Sequence, residues 1–214
     1  MSLTHLMDMP NLPLLIEKAQ QQLEAEKVLR QHFYSIIDEN TKMEFINGEI
    51  VFQSPVTMRQ NSTTGNLYSL MATYAEINDL GWVGIEKVLV SLTRNDYEPD
   101  VCFWKKKRAD LFTDDQMQFP APDLAVEVLS PKTAKTDRTT KYIDYEAHGV
   151  KEYWLVDPKK QTVEQYVLIN GQYYARFKGR DGEIESEVLP GFLLEAEAIF
   201  DQKATNQALL KLLA

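Results

Sequence analysis

From Leu14 to about Ile37, the stretch LLIEKAQQQLEAEKVLRQHFYSII returns leucine, valine and aromatic side chains at helical spacing among charged ones. This predicts one helix, or two in succession, leading into a domain. The period then shortens to two: KMEFINGEIVF sets β-prone segments on either side of Asn47-Gly48, a dipeptide that tolerates the positive φ angles of a tight hairpin turn. Residues 58 to about 79 return to helical spacing, with Gly81 as the expected terminator. WVGIEKVLVSL, VCFW and DLAVEVLS predict strands, the last bounded by Pro122 and Pro131. Thr136 or Asp137 is placed to cap a helix running to about His148, with Gly149 at its end. EYWLVD reads as a buried strand, VEQYVLI and QYYARFKG as a hairpin around Asn170-Gly171, and NQALLKLLA as a short helix.

This order predicts an α/β (α+β) fold, a mixed sheet flanked by helices, in which residues 123–157 form a right-handed βαβ unit. No repeat or Gly/Ser linker divides the 214 residues. One domain is expected, with residues 1–36 as an N-terminal helical segment packed on a domain of residues 37–214.

Cys102 stands alone, which excludes an internal disulfide and a thiolate cluster for zinc. His5, His32 and His148 are scattered and read as structural or solvated. No apolar run approaches the roughly 18 residues of a membrane span, and MSLTHLMDMPNLPLLIEK lacks a basic region followed by an apolar one, so a soluble, cytoplasmic protein is expected. The net charge of −9 counts against nucleic acid as a partner on average. A local basic surface can still coexist with an acidic remainder, and Lys105 to Arg108 (KKKR), Lys132, Lys135, Arg138 and Lys141 are the candidates. No G-x-S-x-G elbow, G-x-x-x-x-G-K-[ST] loop or H-E-x-x-H helix occurs.

The position that asks for an explanation is Glu127, in APDLAVEVLSP. Alternation along a strand puts Asp123, Ala125, Glu127 and Leu129 on one face and Leu124, Val126 and Val128 on the other, which reads as core. An unpaired carboxylate in apolar surroundings costs several kcal/mol or takes up a proton, so Glu127 calls for a counter-charge. Asp100, after Pro99 at the mouth of VCFW, supplies a second acid. If the strands are neighbours, the two carboxylates converge and attract a hard cation such as Mg²⁺. Either acid read alone is also ordinary turn chemistry or half of a structural ion pair.

The succession KMEFINGEIVFQSPV, EPDVCFW, PDLAVEVLSPKT and D-R-x-x-K-Y-x-x-Y-x-x-x-G-V-x-E-Y-W-L-V-D-P, over roughly residues 30–200, resembles the putative restriction endonuclease (Uma-type) family of the PD-(D/E)XK nuclease superfamily. The resemblance implies a restriction-endonuclease-like fold and Mg²⁺-dependent hydrolysis of DNA phosphodiesters, with Mn²⁺ as a substitute. It implies Asp100 and Glu127 as the acids that bind the metal, with the carbonyl of Val128 in reach of it. It further implies an assisting glutamate, Glu44 or Glu49. A homodimer is expected if both strands of a duplex are cut, since that often uses two copies of a site. One departure stands out: the superfamily's lysine, two residues after the second acid, is replaced by Leu129. Lys141, one turn before Tyr145, is the candidate for a migrated lysine, against a bland reading as an exposed helical residue paired with Asp137. Lys132 and Lys135 are alternatives. A catalytically inert nucleic-acid-binding or assembly module that keeps this fold is the competing functional reading.

Overall fold

The computed structural model describes residues 3–38 and 40–213. Helices α1 (Leu3–Met7) and α2 (Leu12–Ile36) come first, followed by the hairpin of β1 (Met43–Ile46) and β2 (Glu49–Phe52) and by α3 (Met58–Ile77). Then come β3 (Gly81–Ile85), β4 (Leu89–Ser91), β5 (Asp96–Tyr97), β6 (Val101–Lys105), α4 (Lys106–Ala109), β7 (Gln118–Phe119) and β8 (Leu124–Val128). A helical crossover of α5 (Ala134–Thr136), a π-helical turn (Asp137–Lys141) and α6 (Tyr142–Ala147) leads to β9 (Glu152–Asp157). The rest comprises β10 (Thr162–Ile169), β11 (Gln172–Gly179), β12 (Glu183–Glu185), β13 (Leu193–Glu195), a 3₁₀ turn (Ala196–Ile199) and α7 (Gln202–Leu212).

The strands form a five-stranded sheet ordered β2-β1-β5-β4-β7, a six-stranded sheet ordered β11-β10-β9-β8-β6-β3, and the small β12-β13 pair. This is the mixed α/β architecture expected from the sequence. Within the six-stranded sheet, β8 pairs with β6 antiparallel and with β9 parallel, as a βαβ crossover requires. Both faces of β8 are covered. Leu124, Val126 and Val128 pack with Leu67, Leu70 and Met71 of α3. Ala125 and Leu129 pack on the opposite side with Tyr97, Tyr145 and Tyr153. The valine face is therefore core, and so is the face that carries Glu127, which explains why this strand reads as a nearly continuous apolar run.

The N-terminal helix touches the domain through a few specific contacts. Phe33 and Glu26 are its buried residues, Arg30 clasps Asp96 at 2.6 and 2.8 Å, and Arg94 reaches Glu26 at 2.7 Å. The Asn47-Gly48 hairpin forms as read, with φ of 51° and 87° at its two turn residues. The Asn170-Gly171 hairpin forms likewise.

Two predicted helix boundaries are corrected. α3 ends at Ile77 and the left-handed residue that closes it is Asp79, not Gly81: Asp79 adopts φ 53° while the Asp79 and Leu80 amides donate to the Glu76 and Ala75 carbonyls, a left-handed cap that aspartate can adopt. Gly81 serves packing instead, because a Cβ there would lie 2.0 Å from the Trp104 carbonyl oxygen. The crossover helix starts earlier than Thr136 or Asp137; the Ala134 and Asp137 amides donate to the Ser130 and Thr133 carbonyls, which places Asp137 inside the helix and buried. In α7, Ala208, Leu209 and Leu212 pack on the domain's own core. Among the described residues no helix is long and apolar enough to cross a membrane.

Candidate functional site

The chain leaves the five-stranded sheet at Tyr97 and enters the six-stranded sheet at Val101, so Glu98-Pro99-Asp100 is the junction between them. The β6–β8 register pairs Val101 with Val126, and one further step places Asp100 opposite Glu127. Directly opposed side chains project to the same face. The Asp100 amide donates to the Val126 carbonyl at 3.1 Å, and Asp100 Oδ2 accepts the Val128 N–H at 2.7 Å. The two acids therefore share a side of the sheet and line one cleft of about 760 Å³, together with Glu44, Val128, Asp137 and Lys141. Glu127 lies at its floor, only 4 % exposed, so the pair is recessed rather than open to solvent.

Lys141 comes to this floor from the crossover helix. Its Nζ lies 2.8 Å from Glu44 Oε1, 3.0 Å from Glu127 Oε1 and 3.4 Å from Asp137 Oδ1. The bland reading of Lys141 is half right: Asp137 is a partner, but the lysine is 2 % exposed rather than solvated. Glu44 arrives from the other sheet, held by the Glu98 amide at 3.0 Å and the Gln53 side chain at 2.9 Å. Glu49, its alternative on the hairpin, is exposed on β2 and joins none of these contacts, although it lines the same cleft.

The charges do not balance. Glu44, Asp100, Glu127 and Asp137 crowd the floor against Lys141 and Lys42, whose Nζ is 2.7 Å from Asp100 Oδ1 and is shared with Glu86 at 3.0 Å. Burial pushes the Glu127 and Asp137 carboxyls upward; Lys141 pulls each back, and the neighbouring carboxylates push them up again. The Lys141 ammonium is held in its charged form by the surrounding carboxylates despite burial. Excess negative charge in a dry site favours uptake of a proton or of a cation.

Asp100, Glu127 and the Val128 carbonyl present oxygen donors, the kind that a hard divalent cation takes. Asp137 Oδ1 is buried without a hydrogen-bond partner even though Lys141 is within ion-pair distance. Among the described residues no group of three or more histidine, cysteine, aspartate and glutamate side chains is placed to hold a metal ion by itself. Mg²⁺ needs no such group, since it commonly takes one or two carboxylates and fills its shell with water and phosphate oxygens.

Most other candidates fall elsewhere. Asp123 pairs with Arg108 at 3.1 Å and accepts the Lys105 amide at 2.9 Å, a structural tie away from the cleft. Leu129, at the motif lysine's position, is buried among Tyr145 and Tyr153. In the Lys105–Arg108 run, Lys106 is occupied by Asp79 and Asp110 and Arg108 by Asp123, and the run does not line the cleft. Arg138 pairs with Glu164, while Lys132 lines the cleft and Lys135 is exposed. His148 is a structural residue, bridging Asp144 and Thr93.

Lys42, Gln53 and the buried Asp137 also belong to the site, and no motif in the sequence marks the first two. Lys42 had a signal: it stands two residues before Glu44, the spacing that puts two side chains on one face of an extended segment.

The family profile described as "Uma2: Putative restriction endonuclease" matches residues 28–197. Five chains among solved structures match. One of these, a crystal structure described as a putative nuclease belonging to DUF820 from Anabaena variabilis, aligns with TM-score 0.68 at 19% identity, covering 78% of this chain and 94% of that one. At that identity the likeness shows a shared fold. No curated protein matches. With the family profile spanning most of its length, and with the blocks that carry the resemblance assembled around one cleft, this chain belongs to the Uma2 family.

Proposed function

We propose that this chain is a metal-dependent endonuclease that hydrolyses phosphodiester bonds of DNA. The observation that supports it best is the convergence of Asp100, Glu127, Glu44 and Lys141 from four separate parts of the fold on one cleft. In this reading Asp100 and Glu127, with the Val128 carbonyl, hold Mg²⁺, or Mn²⁺ in its place. When bound, such an ion supplies Lewis-acid polarisation of the phosphate and activation of a water. The protein's own groups do the rest. Lys42 and the Val128 amide fix both oxygens of Asp100 in place. Glu44 orients the Lys141 ammonium, which stabilises negative charge gathering on the scissile phosphate. Lys141 thus takes the task that Leu129, packed in the core, does not perform.

The inert-module reading also has support, because Lys141 is already engaged by three carboxylates and Leu129 is apolar. The two separate in a single experiment with purified protein, plasmid and branched DNA under Mg²⁺ and Mn²⁺. The endonuclease reading expects cleavage by the parent chain and none by Glu127→Gln, which keeps its fold. Cleavage by the variant at the parent's rate removes Glu127 from the site. Absence of cleavage together with absence of Mg²⁺ and Mn²⁺ binding by titration calorimetry establishes the inert module.

A further inference from the structure

The mouth of the cleft carries a second pattern. One wall runs from the end of β2 toward α3, where Phe52 and Val56 are 63 and 50 % exposed. Phe52 and Val56 line the cleft itself. Two large apolar side chains within five residues, both turned to solvent beside a recessed acidic floor, have no role in the fold's core. The facing wall is the loop after β8, where Lys132 donates to the Ser54 hydroxyl at 2.6 Å. Its bond therefore joins the two walls, and this ammonium leans on an uncharged partner.

We propose, building on the endonuclease reading, that the substrate of this cleft is an unpaired DNA strand: a single strand, or the single-stranded arm of a frayed or branched end. Three features select it. The volume of about 760 Å³ lies in the range of sites that hold small ligands, roughly 300–1,000 Å³, and so admits a few nucleotides. The acids are buried at the floor, so a phosphate must enter the cleft to meet them, and an unpaired strand bends locally where a duplex is stiff. The apolar wall offers surfaces on which bases stack, and bases present free faces only when unpaired. Lys132 exchanges its hydroxyl partner for a backbone phosphate, a stronger charge-assisted contact.

The test is binding by fluorescence anisotropy in Mg²⁺, with the full chain carrying Glu127→Gln so that the DNA survives. Three probes are compared: a labelled short single strand, the matching blunt duplex, and that duplex with a single-stranded arm. The single strand and the arm are expected to bind about tenfold more tightly than the blunt duplex. Phe52→Ala with Val56→Ala is expected to remove most of that preference and to leave duplex binding unchanged. Both residues are exposed, so an unchanged melting temperature confirms that the double variant folds. Equal or tighter binding of the blunt duplex, a preference that survives the double substitution, or no binding of any probe overturns the proposal. The endonuclease reading stands or falls separately: a parent chain that cuts duplex and spares single strands removes the unpaired substrate alone, and a chain that grips single strands without cutting them under any metal removes the nuclease alone.

Discussion

The ammonium of Lys141 lies 3.0 Å from Glu127 Oε1, so the crossover helix is pinned by a recessed, largely buried ion pair to the strand that precedes it. The pair is also tied to the other sheet through Glu44. Removing one partner of a buried cluster leaves charge without compensation, a larger effect than the net contribution of the intact pair.

Lys141→Met is therefore expected to destabilise the chain by about 3–5 kcal/mol and to abolish cleavage. Combining it with Glu127→Gln should recover part of the stability, because the double variant has one less unpaired carboxylate. Urea denaturation of the two single variants and the double closes the cycle. Purely additive effects would show that the pair is not coupled, and an active Lys141→Met chain would transfer the lysine's role to Lys132 or Lys135.

Glu44 and Glu49 share a hairpin but not a role. Glu44→Gln is expected to slow cleavage by about 100-fold, corresponding to about 2.7 kcal/mol of transition-state stabilisation, since it weakens the hold on Lys141. Glu49→Gln, at an exposed position, should stay within about twofold of the parent, the range in which a surface change is felt as a few tenths of a kcal/mol. Single-turnover rates on one labelled substrate decide between them, and the reverse ranking would move the assisting glutamate to Glu49.

Asp123 anchors the start of β8 through Arg108 and the Lys105 amide. Asp123→Asn is expected to cost about 1–2 kcal/mol of stability while leaving the cleavage rate of the folded fraction unchanged. A thermal melt and a rate measured well below the melting temperature check both halves. Lost activity in a fully folded variant would bring Asp123 into the site.

Glu98 makes stability depend on pH. Burial pushes its carboxyl up to about 7, against the downward pull of the Met43 amide that it accepts at 2.9 Å. Because the folded value lies above the unfolded one, the folded chain binds more protons between the two. This contribution therefore favours the fold below about 4.5 and is lost as pH rises to about 7. The loss is on the order of 2 kcal/mol once partial solvent screening is allowed for. Urea denaturation at pH 5 and pH 8 should show Glu98→Gln gaining on the parent at the higher pH. An identical pH trend in the two chains would remove Glu98 as the source.

What the sequence determined by itself is local. Alternation along APDLAVEVLSP put Glu127 on the face opposite the valines, and the Asn-Gly dipeptides set both hairpins, because backbone dihedral preferences and side-chain direction need no distant partner. It also exposed the conflict at Glu127, a charge inside an apolar strand, and so marked the site before any contact was known. Even locally, some choices were open: aspartate and glycine compete for the left-handed end of α3, and Asp79 takes it while packing against Trp104 claims Gly81.

Tertiary structure decided who answers that charge. Lys42 and Glu44 come from before the first strand and within it, Asp100 from the junction between sheets, and Lys141 from a helix that reads as solvated when taken alone. Strand order and the covering of each face depend on contacts between segments far apart in the chain, where small local preferences are overruled by the burial of whole surfaces. The same packing that placed Leu129 among tyrosines seated a lysine from another element beside Glu127.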